Sequence, residues 1–180
     1  MWRDTQIRIN IIPIGGIMSD VVPDLLGKAR YAQASVEHWP QEKVDEMVKA
    51  AAWEMIKPEH AEECATLAAK ETKMGVYEHK LLKHRVKVLG ALRDMEGEKS
   101  TGIVEENKEK GIFKVIKPMG VIFAPTPCTN PTATPAVKSV FALKSRNAII
   151  FAPHMLARRC SGKTVEYARA GLKKVGAPED

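Results

Sequence analysis

The chain has 180 residues, 44% of them hydrophobic and 28% charged, which suits one folded domain and excludes a disordered or low-complexity chain. Its net charge of +6 is spread along helical segments with glutamates interleaved, and no aromatic-and-basic strip is present to stack bases, so no nucleic-acid partner is expected. No apolar run reaches the roughly 20 residues of a membrane helix, and residues 9–17 lack the cleavage site of a signal peptide, so no membrane partner is expected either.

Residues 1–17 show neither helical nor strand period and precede Met18, a candidate initiator. They are read as a poorly ordered extension, with residues 18–180 forming the folded part. Helices are predicted over residues 24–96. Val44, Met47, Val48, Ala51 and Met55 fall on one helical face. Pro58 opens a further helix that carries Cys64, Ala65, Ala68 and Ala69 and is expected to end at Gly75. The next helix is predicted to bury Leu81, Leu82, Val88, Leu89 and Leu92 and to stop at Gly97. Residues 103–117 then read as two strands joined by a long polar turn over 105–110.

Residues 120–124 and 148–152 are short apolar runs, expected as strands buried on both faces. A helix at 132–144, with Val137, Val140 and Phe141 on its apolar side, connects them. A last helix follows at 158–175, with Val165, Ala168, Leu172 and Val175 inward. The fold class is therefore α/β: amino-terminal helices, a hairpin, then a right-handed β-α-β-α unit over 120–175. Ligands of such sheets bind beyond the carboxyl ends of the strands, here residues 125–131 and 153–156.

The first of these connections, Thr126-Pro127-Cys128-Thr129-Asn130-Pro131-Thr132, is stiffened by prolines that remove backbone donors. Asn130 supplies an amide to a developing oxyanion or serves as an ordinary turn residue, and the residues alone leave both open. Cys128 has no base near it in sequence and is read as an inert, half-buried thiol. The cysteines Cys64, Cys128 and Cys160 form no C-x-x-C pair and lie near no histidine cluster. That argues against a disulfide framework or a metal site and fits a reducing cytoplasm. The run Ala157-Arg158-Arg159-Cys160-Ser161-Gly162-Lys163-Thr164 ends like a phosphate-binding loop but has Ala157 where the first glycine is required. No G-x-G-x-x-G is present.

Several ordered motifs carry a family resemblance: Glu71-Thr72-Lys73-Met74-Gly75, the segment 101–111, Lys117-Pro118-Met119-Gly120-Val121-Ile122, the loop 126–132, Ala142-Leu143-Lys144-Ser145-Arg146-Asn147-Ala148-Ile149-Ile150-Phe151, and Ala152-Pro153-His154. Together they resemble the CoA-acylating branch of the aldehyde dehydrogenase superfamily over residues 24–180. This is the branch of the bifunctional aldehyde-alcohol dehydrogenases and the propionaldehyde and acetaldehyde dehydrogenases, with sulfoacetaldehyde dehydrogenases related.

The resemblance implies an NAD-binding α/β domain, a catalytic domain and a hairpin used in assembly, hence a homo-oligomer. It implies oxidation of an aldehyde to an acyl-CoA through a cysteine thioester, with NAD(P) as cofactor and coenzyme A as co-substrate. Carried onto this chain, Asn130 matches the oxyanion asparagine. Thr126 and Pro127 line the nicotinamide end of the cofactor, and Pro153 and His154 hold the adenosine ribose. Met155 stands where this branch often has proline. In the family the nucleophilic cysteine follows later than these residues, so the 180 residues are expected to be inactive alone. Two other functions are weighed: a non-catalytic half-domain that binds a cofactor or partner, and a nucleotide-binding protein built on residues 157–164.

Overall fold

The computed structural model describes residues 21–179, so the expectation for residues 1–17 lies outside the described residues. Four helices come first: α1 (Val21–Val36), α2 (Gln41–Ile56), α3 (Pro58–Thr72) and α4 (Tyr77–Asp94). An antiparallel hairpin of β1 (Gly102–Asn107) and β2 (Ile112–Ile116) follows. Then β3 (Val121–Thr126), α5 (Ala133–Lys144), β4 (Ala148–Pro153), a 3-10 turn (Met155–Ala157) and α6 (Arg158–Lys174) complete the chain. β3 and β4 pair in parallel, as the crossover through α5 requires.

The predicted face of α2 is the centre of the core: Val44, Met47, Val48, Ala51 and Met55 are all buried. They meet Val88 and Ala91 of α4, Ala136 and Val140 of α5, and Tyr167, Ala168 and Leu172 of α6. The closest approach is between α2 and α6. A Cβ on Gly171 would lie 2.4 Å from the Ala50 carbonyl oxygen and 2.6 Å from the Ala51 Cα, so only glycine fits there.

Four expectations are corrected. Lys73, not Gly75, ends α3, taking the left-handed conformation at φ 55. The hairpin turn is shorter than read, because Glu105, Glu106 and Asn107 remain in β1 and pair across a bulge. α4 buries Lys80, His84, Val88 and Ala91, while Leu82 and Leu89 face outward, as does Phe141 of α5. β3 and β4 are not covered on both faces. Phe123 is exposed and every residue of β4 is only half-buried.

Two polar side chains set the geometry below the strand ends. Asn147 Oδ1 accepts from the backbone N–H of Met119 at 2.6 Å and of Gly120 at 2.8 Å, fixing the entry to β3. Arg146 is buried and donates to the carbonyls of Glu37, Ser100 and Ile116. It thereby joins the end of α1, the base of the hairpin and the end of β2.

Candidate cofactor and oxyanion site

β3 and β4 end together. Thr126 stands opposite Pro153 in the ladder, and the His154 N–H donates to the Thr126 carbonyl at 3.0 Å. Thr126, Pro153 and His154 therefore share one end of the sheet, with Pro127 next to Thr126 and exposed. Thr126 keeps only 5% of its surface, and its hydroxyl is buried without a hydrogen-bond partner among the described residues. Such a group costs about 1–3 kcal/mol unless something else satisfies it. His154 is exposed, and its Nδ1 accepts from the Leu156 N–H at 3.2 Å, which closes the 3-10 turn.

Asn130 is half-buried at the start of α5, where its carbonyl accepts from the Thr134 N–H at 3.2 Å. Its Oδ1 accepts from Lys83 Nζ at 3.0 Å. The carbonyl of the preceding Thr129 accepts from Lys80 Nζ at 2.9 Å, and that of Pro125 from Lys138 Nζ at 3.1 Å. Ser161 of α6 donates to the Pro131 carbonyl at 2.8 Å. The loop is thus held from α4, α5 and α6 together. Lys80 keeps 9% of its surface; burial, and then the charge of Lys83, hold its pKa below the usual lysine value.

The β4–α6 connection is arranged differently. Glu71 of α3 accepts from the N–H of Arg159 at 2.8 Å and of Cys160 at 2.7 Å. These are the amides that a phosphate-binding loop would offer to its ligand. Lys163 pairs with Glu63 and Glu166, and Thr164 donates its hydroxyl to the Cys160 carbonyl at 3.0 Å. Residues 157–164 are therefore an acid-capped helix start, and the nucleotide-binding reading built on them fails.

The three cysteines are free thiols. Burial pushes Cys64 up to about 11 and, with the Glu71 carboxylate beside it, Cys160 up to about 12. Only the thiolate is a useful nucleophile, so both are inert at neutral pH. Among the described residues no group of three or more His, Cys, Asp or Glu could hold a metal ion, and no helix is long and apolar enough to cross a membrane.

Sequence reasoning found the sheet end but missed Lys80, Lys83 and Glu71. A signal existed for the lysines. Neither has an acid three or four residues away on its helix, so neither is paired along α4 as surface lysines commonly are.

The aldehyde dehydrogenase family profile matches residues 14–179. An acylating sulfoacetaldehyde dehydrogenase from Bilophila wadsworthia is 45% identical over 159 residues, covering 88% of this chain and 34% of that protein. Among solved structures, an acetylating aldehyde dehydrogenase from Geobacillus thermoglucosidasius superposes with a TM-score of 0.84 at 30% identity, covering 87% of this chain and 34% of that one. An engineered glycolyl-CoA reductase with bound NADP+ superposes at 0.73 and 28% identity, covering 87% of this chain and 35% of that one. The chain spans about a third of the length of each of these proteins. With the match covering nearly all of its residues, the chain belongs to the aldehyde dehydrogenase family.

Proposed function

We propose that this chain forms the cofactor-side and oxyanion-side part of an enzyme that oxidises an aldehyde to its acyl-CoA with NAD(P), through a cysteine thioester. The observation that carries the reading is the unpartnered, buried Thr126 hydroxyl beside Pro153 and His154 at the carboxyl ends of two parallel strands. Ligands of open parallel sheets bind at such ends. Thr126 and Pro127 line the nicotinamide end of the cofactor, and Pro153 and His154 hold its adenosine ribose. When bound, the nicotinamide supplies the hydride acceptor.

Asn130 has its Oδ1 engaged by Lys83, which leaves the Nδ2 hydrogens to donate. They meet the oxyanion that forms when a thiolate adds to the aldehyde carbonyl. That thiolate is not Cys64 or Cys160, whose protons are held too tightly. Cys128 has no described base bonded to it, so the nucleophile comes from outside these 180 residues. The hairpin serves assembly of like subunits: Ile103, Ile112, Phe113 and Val115 are all exposed on it.

Two experiments test this. NAD+, NADP+ and Mg-ATP are titrated into the purified chain, and Thr126→Val is expected to weaken the dinucleotide signal. Binding of Mg-ATP alone would overturn the reading. Separately, residues 21–179 are grafted in place of the matching third of the Bilophila wadsworthia relative. CoA-dependent NAD(P)+ reduction by the chimera is expected. A folded chimera that binds CoA and NAD(P)+ yet turns over no aldehyde would count against it.

A further inference from the structure

Lys80 and Lys83 lie one turn apart on α4 and converge on consecutive residues of the β3–α5 loop. Lys80 takes the Thr129 carbonyl at 2.9 Å and Lys83 takes the Asn130 Oδ1 at 3.0 Å. Among the described residues neither ammonium has a carboxylate within ion-pair distance, although the helices around them are rich in glutamate. Two like charges at this spacing destabilise a helix, and burying one of them adds a desolvation cost. The fold gains no ion pair in return. Lys138 of α5, half-buried, shows that a single lysine can hold the same loop, on the Pro125 carbonyl at 3.1 Å. The α4 pair is therefore not explained by loop anchoring alone.

The geometry at Asn130 supplies the missing reason. An ammonium only donates, so Lys83 accepts no other orientation of the carboxamide than Oδ1 toward itself. The Nδ2 group is thereby turned away from α4, and among the described residues it has no partner. Lys80 fixes the backbone one residue earlier, so the carboxamide swings on an anchored Cα. A cation on Oδ1 also draws electron density from the amide, which strengthens the Nδ2 hydrogens as donors.

We infer that Lys83, supported by Lys80, is a positioning residue that presets the Asn130 carboxamide with its N–H hydrogens toward the developing oxyanion. The inference rests on the proposed role of Asn130. It differs in placing the orientation of that amide on Lys83, 47 residues before Asn130, and on Lys80, 49 residues before Thr129.

The test has two parts. In the 15N-labelled full chain, Lys83→Met is expected to shift and broaden the Asn130 side-chain amide pair. Lys83→Arg restores it, and Lys138→Met leaves it alone. An Asn130 amide pair that is identical with and without the Lys83 ammonium overturns the inference, whatever the activity. In the chimera described above, Asn130→Ala is expected to lower kcat about 100-fold, the scale of losing an oxyanion donor. Lys83→Met should lower kcat about 10-fold at unchanged aldehyde KM, with Lys83→Arg recovering most of it, as a misoriented donor keeps part of its effect. Adding Lys83→Met to Asn130→Ala should cost nothing further. If Asn130→Ala keeps full kcat, the oxyanion reading itself fails. If Asn130→Ala loses kcat while Lys83→Met does not, only the positioning inference fails. Should the unsubstituted chimera be inactive, the amide pair still decides the inference.

Discussion

The two strand-to-helix connections at the sheet end, β3–α5 and β4–α6, sit side by side and are stabilised in opposite ways. At β4–α6 an acid from α3 closes the helix start: Glu71 takes the Arg159 and Cys160 amides, and the Thr164 hydroxyl donates to the Cys160 carbonyl. At β3–α5 no side chain caps the helix. The loop is held instead by lysines, while among the described residues the Thr126 hydroxyl and the Asn130 Nδ2 have no partner. A carboxylate in the first place repels an anion, and ammonium groups in the second favour one. Of two loops equally well placed by topology, the β3–α5 loop is the one that ammonium groups hold.

The largest effect is expected from unseating the closed side. Gly171→Ala puts a Cβ into the α2 backbone, with 2.4 Å to the Ala50 oxygen and 2.6 Å to the Ala51 Cα. Neither atom can rotate away, so α6 must shift off α2, at about 3 kcal/mol. Urea unfolding should show it, and a midpoint equal to that of the unsubstituted chain would mean the helices are not packed as described. Glu71→Ala strikes the same connection more gently. It removes the acceptor of two helix-start amides, for which about 1–2 kcal/mol is the usual scale. If Glu71→Ala were neutral, the contrast between the two connections would lose its energetic basis.

Much of the closed architecture is legible in the sequence, because it rests on apolar spacing. Val44, Met47, Val48, Ala51 and Met55 recur at helical intervals and are buried together. The apolar runs 120–124 and 148–152 mark the parallel pair, and with it the position of Thr126, Pro153 and His154. Spacing misleads on α4, which carries two stripes. The apolar one, with Leu82, Val86 and Leu89, is exposed, and the buried one is partly polar, with Lys80, His84, Val88 and Ala91. Periodicity reports that a stripe exists and not which stripe faces in. One polar fixture, Glu71, is hidden for another reason. Glu71 meets its amides across 88 and 89 residues, and no local pattern announces a pairing over such a distance.

His84, one turn beyond Lys80 on α4, sharpens the contrast through pH. It is fully buried; its Nε2–H donates to the Met55 carbonyl at 2.8 Å, and its Nδ1 has no partner among the described residues. Burial, only partly opposed by that hydrogen bond, holds its pKa below 6.5. The folded state then binds fewer protons than the unfolded state once the pH drops below about 6.5, so stability falls with falling pH there. One such group contributes a slope of at most about 1.4 kcal/mol per pH unit. Replacing His84 with Gln should flatten the stability profile between pH 6.5 and 5. A profile of the same slope in both proteins would assign the acid sensitivity to other groups.

The smallest effect on stability is expected at Lys80, and its sign matters more than its size. Lys80→Met keeps most of the buried stem and removes a desolvated cation that has no carboxylate partner among the described residues. The lost bond to the Thr129 carbonyl is worth about 1 kcal/mol or somewhat more for a charged donor, and relief of desolvation and of repulsion from Lys83 offsets it. The net change should lie within about 1 kcal/mol of zero. The pH dependence distinguishes this from a merely tolerant site. A lysine whose folded pKa is lowered destabilises the fold fully below that pKa, and the penalty is relieved as pH rises through it toward the unfolded value of 10.5. The native protein should therefore gain stability relative to Lys80→Met in the alkaline range, up to the unfolded lysine pKa. If Lys80→Met instead lost several kcal/mol at neutral pH, Lys80 would be a structural pin like Arg146. The β3–α5 loop would then be as tightly built in as its neighbour, and the difference between the two connections would disappear.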